Sequence, residues 1–323
     1  MKHNQNRLLA FQSAIKKEQF LPVLLVSICR FIALLLQITD RFIYPISREL
    51  LSPMISQIVV ILIPLYLCMT VALPERSPVY MLHAVGCRKL RADNVFLIIF
   101  TSLFMITTSL LLNLVFGGVY SASEGFTLLG SFTAGAGEYT STYPYLMIVY
   151  AAAPTFIEEI LLRGFIYSRF SRVSEATAIA VSTVISSLFA FSIAGLPAAI
   201  FCSLAYCFIR YVTGTLWSCM IVHFVFNFYA QFLQTNVAKY FLSAQNRLVL
   251  IVIVVAAWLI ASALFFSERA RVFKARADKI KSGEEVSALP EFGFKTLGRD
   301  LKQTFSHRPT MICSIISGGF SRQ

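Results

Sequence analysis

Charge is what this chain has least of. Acidic and basic side chains make up 14% of its 323 residues, against 57% hydrophobic ones, where a soluble domain carries about a quarter charged residues. That scarcity excludes a chain whose main solvent is water. Histidine is scarcer still: His3, His83, His223 and His307 are all there are, and none lies between residues 84 and 222. A catalytic zinc takes three protein ligands drawn mainly from His, Cys and carboxylates, so no cofactor and no tightly held zinc are expected. Of the seven cysteines, Cys29, Cys68, Cys202, Cys207 and Cys219 fall inside apolar blocks and none forms a CxxC pair, which excludes a disulfide framework or a zinc ribbon. An internal repeat and a matched pair of interrupted apolar segments are also missing, and their absence weighs against a transporter.

What remains is apolar chain in long blocks. They lie near residues 20–38, 54–73, 95–117, 143–165, 176–194, 197–213, 215–233 and 248–266. At 1.5 Å per residue, about 17 to 25 residues cross the roughly 30 Å hydrocarbon core of a bilayer. The expected fold is therefore all-α, a polytopic membrane helical bundle of about eight transmembrane helices. The first block carries Arg30 and is followed by Thr39, Asp40 and Arg41 in place of a small-residue cleavage site, so it reads as a retained helix and not as a signal peptide.

The net charge of +12 comes from basic residues between the blocks and at the ends. It lacks the basic face and stacking aromatics of a nucleic-acid module, so no nucleic acid is expected as partner. Arg76, Arg88, Lys89 and Arg91 follow the second block, and Arg163, Arg169 and Arg172 lie at the junction of the fourth and fifth. Segment 118–142 holds Glu124 and Glu138 but no Lys or Arg. By the positive-inside rule the basic junctions and both termini are cytoplasmic, in a multi-pass protein of a bacterial cell membrane. The expected division is a cytoplasmic segment 1–19, accessory helices and an external loop over 20–142, a core over 143–233, a last span within 234–266 and a basic tail over 267–323. That tail can begin as a helical extension on anionic lipid.

Two polar constellations interrupt the apolar blocks, and ionisable groups at membrane depth mark buried pairing or function. In the fourth block, Glu159 and Arg163 stand four residues apart with the acid first, the favourable order for a helical ion pair. Glu158 points about 100° away around the helix and has Leu162 four residues on, which leaves it available to act on a water. The same trio could instead fix helix packing alone. In the seventh block, His223 and Asn227 are again four apart and share one helix face, where their N–H groups suit a developing oxyanion.

These residues resemble the CPBP intramembrane proteases, the CAAX proteases and bacteriocin-processing enzymes also called the Abi family. The resemblance rests on EExxxR as Glu158, Glu159 and Arg163, and on HxxxN as His223 and Asn227, over 143–233. It implies that Glu158 is the catalytic base, that His223 and Asn227 hold the oxyanion and that Glu159 and Arg163 support them. The family label also carries a possible zinc, which the donor set supports poorly. The family's middle motif, FxxxH, falls at Phe189, but Ile193 stands where its His belongs. An apolar side chain cannot share a proton with the base. Two readings stay open: an intramembrane endopeptidase acting on a peptide or membrane protein, or a non-catalytic relative that binds a membrane partner. A proton-coupled transporter using Glu158 and Glu159 is a third. His83 is the remaining candidate to stand in for the missing His. Membrane lipids surround the chain in every reading.

Overall fold

A computed structural model describes residues 21–22, 24–29, 31–32, 58–72, 77–116, 152–172, 174–188, 196–230 and 247–282. Among these the fold is all-helical. A π-helical turn, Ile58–Leu62, runs into α1 (Ile63–Ala72). Then come α2 (Pro78–Ala84), a 3₁₀ turn (Ala92–Asn94) and α3 (Val95–Phe116). The next helix is built in three pieces, α4 (Ala153–Glu159), a π segment (Ile160–Ile166) and α5 (Tyr167–Phe170). After it come α6 (Glu175–Leu188), α7 (Leu196–Thr213), α8 (Leu216–Phe228) and α9 (Arg247–Lys281). Two stretches, Ala92–Leu111 and Ile251–Ala275, are apolar and long enough to cross a membrane, while Ala199–Thr213 and Leu216–Phe228 are apolar but shorter. The expected spans at 20–38, 54–73, 143–165, 176–194 and 215–233, and the last residue of 95–117, lie partly outside the described residues.

The described residues form two compact units, one drawn from Met1–Cys87 and Ile157–Phe189, the other from Arg88–Phe156 and Ala190–Leu289. In the first, Ile61, Leu65 and Met69 are buried while Leu62, Ile63, Tyr66 and Leu67 are exposed. That four-residue spacing puts one stripe of the helix inward. Helix α2, in a segment read from sequence only as a basic junction, opens with Pro78 in its first turn, where the missing N–H costs nothing. It closes with Gly86 at φ 91°, where Gly86 N–H donates to the carbonyl of His83 and Cys87 N–H to that of Leu82, each at 2.9 Å. This paired closure is the Schellman motif, and it takes glycine because only glycine enters the left-handed region without a Cβ clash. Helix α6 starts where the Ser174 hydroxyl accepts the N–H of Thr177 at 3.2 Å, an N-cap bond.

In the second unit α3 packs against α7, α8 and α9. Its partnership with α9 is antiparallel, as three rungs show. Arg271 donates to the carbonyl of Asp93 at 2.8 Å, Phe104 stacks on Phe265 with centroids 5.0 Å apart, and the Trp258 indole donates to Thr108 at 3.1 Å. Rising numbers on α3 meet falling numbers on α9. The polar residues of α3 turn back on their own helix, Thr101 to the carbonyl of Leu97 and Ser102 to that of Ile98, so they need no water. The outer faces are apolar instead: Phe96, Ile99 and Leu103 on α3 and Val252, Ile253, Leu259 and Ile260 on α9 are exposed. Contiguous apolar exposure on this scale suits lipid contact. Helix α9 does not stop with its apolar stretch. It continues through Glu268, Arg269, Arg271 and Lys274 to Lys281, held at the crossover by Arg271 on Glu268, with Nε to Oε2 at 2.9 Å.

Candidate functional site

The first constellation sits where α4 meets its π segment. Glu158 and Glu159 are the last residues of α4, and Arg163 lies inside the π turn. Their exposures are 2%, 0% and 1%, so any charge here must be met by protein groups. Arg163 Nη1 donates to Glu159 Oε1 at 3.1 Å and Nη2 to Ser186 Oγ on α6 at 3.4 Å. The Ser182 hydroxyl of α6 donates to the carbonyl of Leu162 at 3.2 Å. Helix α6 thus supplies a polar face to the π turn. The sequence predicts a regular helix through 158–163. The structure differs: hydrogen bonding loosens to the wider i→i+5 pattern immediately after Glu159, yet the ion pair forms across the junction. Further along, Tyr167 donates to Glu175, and the Arg169 guanidinium lies over the Phe165 ring, 5.4 Å from its centroid. These contacts tie α5 to α6 and to the end of the π turn.

The second constellation is on α8. Gly214, at φ 70°, makes the turn between α7 and α8, and its N–H donates to the carbonyl of Arg210 at 3.0 Å. Thr215 then donates its hydroxyl to the carbonyl of Arg88 at 2.6 Å, anchoring the start of α8. One turn further along, Cys219 Sγ donates to the carbonyl of Tyr206 at 3.2 Å, locking α8 to α7. His223 and Asn227 follow on the inner face, each 1% exposed. The Tyr206 ring stacks on the His223 imidazole, with centroids 4.5 Å apart and 25° between planes. Asn227 Nδ2 donates to Thr155 Oγ1 at 3.0 Å. At the outer side of α8 Phe156 meets Trp217 edge to face at 6.3 Å.

A comparison with family models matches residues 140–229 to the Rce1-like family, described as type II CAAX prenyl endopeptidase Rce1-like. Over these residues the chain is similar to the CAAX protease family. That family is one of membrane proteases, and the matched segment spans both constellations, from α4 through α8. No curated protein and no solved structure matches the chain.

The matched segment thus brings Glu159 to Arg163 in one constellation and seats His223 and Asn227 together on α8 in the other. Phe189 and Ile193, the middle-motif positions, lie outside the described residues. His83 sits exposed in the last turn of α2. Three side chains had no assigned part in the sequence reading: Ser186 on Arg163, Thr155 on Asn227 and Tyr206 on His223. Each partner lies many residues away along the chain, so spacing carries no sign of it. Among the described residues no three His, Cys, Asp or Glu side chains gather as a metal site requires.

Proposed function

We propose that this chain is an intramembrane endopeptidase of the CAAX protease type. Glu158 takes a proton from a water whose oxygen attacks the scissile carbonyl carbon. His223 and Asn227 donate to the oxyanion that forms there. The C–N bond then breaks as the proton passes from Glu158 to the departing amine nitrogen. Glu159 and Arg163 hold the helix that carries the base. No step needs a metal. The observation that carries this reading is the burial of Glu158, His223 and Asn227 in otherwise apolar helices of the family-matched core. A buried carboxylate and buried N–H donors persist at membrane depth when they have chemistry or a partner to serve.

One observation favours a second reading. Ile193 stands where the family's middle His belongs, and no other His lies between residues 84 and 222. Loss of an acid–base partner costs about 10² to 10⁴ in rate. A chain disabled in this way can keep the fold and bind a membrane peptide or protein without cleaving it.

The test is cleavage of membrane-associated peptides by detergent-purified wild type, Glu158→Ala and Ile193→His. Wild-type cleavage lost in Glu158→Ala supports the protease. Cleavage by Ile193→His alone assigns the chain to the binding relatives.

A further inference from the structure

Asn227 is useful to an oxyanion only through its nitrogen. A primary amide presents two N–H donors at one end and an acceptor oxygen at the other, and a half-turn about its last torsion exchanges them. The oxygen end would repel the developing negative charge that the nitrogen end stabilises. Whatever holds the amide in one orientation therefore decides whether Asn227 helps or hinders. In the structure that contact is the Thr155 hydroxyl, whose oxygen accepts from Asn227 Nδ2 at 3.0 Å. This bond occupies one of the two N–H donors and leaves the second on the same nitrogen. Thr155 is 0% exposed and Asn227 1%, so water is not at hand to replace the hydroxyl. Thr155 also lies in α4, three residues before Glu158 on the same helix.

We infer that Thr155 is a positioning residue for the reaction, fixing the Asn227 amide with its nitrogen end toward the oxyanion. The inference rests on the protease reading and deepens it. It concerns the hydroxyl and not the methyl group, which separates it from a packing role. Thr155→Val keeps the shape and removes the acceptor, whereas Thr155→Ser keeps the acceptor and removes the methyl.

The experiment measures kcat and KM for peptide cleavage by wild type, Glu158→Ala, Thr155→Val, Thr155→Ser, Asn227→Ala and Thr155→Val/Asn227→Ala. Thr155→Val is expected to lower kcat about tenfold at unchanged KM, less than the roughly 10²-fold that follows outright loss of an oxyanion donor. Thr155→Ser restores the rate, and Thr155→Val adds no further loss once Asn227 is Ala, because two residues acting through one contact are not additive. A wild-type kcat in Thr155→Val, a loss in Thr155→Ser equal to that in Thr155→Val, or full additivity with Asn227→Ala overturns the inference while Glu158→Ala still marks the chain as a protease. Wild type no faster than Glu158→Ala overturns both. Should Thr155→Val not fold, Thr155→Ala takes its place with the same expectations.

Discussion

Tyr206 lies against His223, ring on ring, with 4.5 Å between centroids. The stack comes from α7, and the backbone carbonyl of the same tyrosine accepts from Cys219 on α8, so ring and backbone of one residue both brace the helix that carries the histidine. An aromatic pair of this kind contributes about 0.5–1.5 kcal/mol beyond its buried area. Tyr206→Leu is expected to reduce peptide cleavage up to about tenfold by releasing the imidazole plane, and Tyr206→Phe to hold it near wild type. Equal rates for Leu and Phe variants would show that the ring does not orient His223.

The Glu159–Arg163 pair is buried on both sides, with side-chain exposures of 0% and 1%. Removing one member of such a pair strands the other charge and costs about 3–5 kcal/mol, whereas replacing both with apolar groups is often close to neutral. Arg163→Met should therefore sharply lower the unfolding midpoint in detergent, and Glu159→Leu/Arg163→Met should recover much of the loss. If the double variant is as unstable as the single, the pair is not the source of the stability.

Gly214 turns the chain between α7 and α8 at φ 70°, and a Cβ built there meets no atom within 4 Å. Space is thus no obstacle to alanine, and only the backbone conformation penalises it, by about 1–2 kcal/mol. Gly214→Ala is expected to lower stability by that amount, and Gly214→Asn by less, since Asn tolerates the left-handed region. Thermal unfolding of the three proteins decides the matter.

Hydrolysis by Glu158 without a metal predicts that chelation leaves cleavage unchanged. EDTA or phenanthroline added to purified protein should not alter the rate, and elemental analysis should find zinc well below one per chain. Stoichiometric zinc lost together with activity in Glu158→Ala and His223→Ala would require a metal mechanism.

Much of the helical layout was legible in the sequence because apolar blocks and their breaks are local. The block at 95–117 became α3, and Gly214 ended α7 where a break in the apolar run stood. The Glu159–Arg163 pair was legible for the same reason, being four residues apart on one helix. Other features hid behind local rules. Helix α2 carries readable signs in Pro78 and Gly86, but seven residues are too few for an apolar period to show. Helix α9 outruns its apolar stretch because the Glu268–Arg271 pair and good helix formers extend it, and hydropathy does not register either. The π turn is invisible to periodicity, since Ile160–Ile166 is apolar at nearly every position and seven residues hold no stripe whose shift could be followed. Thr155 and Asn227 are 72 residues apart, so only the folded chain pairs them.

The π turn at Ile160–Ile166 also bears on how this helix tolerates change in its length. A turn that closes i→i+5 takes up one residue more than an α turn. It is therefore the form in which a continuous helix absorbs a single-residue insertion while the faces on either side keep their directions. The helix bearing both glutamates carries such a slack residue beside a buried cation, Arg163. Removal of one residue beyond Arg163 would let the rod close up as plain α-helix, with Glu159 and Arg163 still four residues apart on one face.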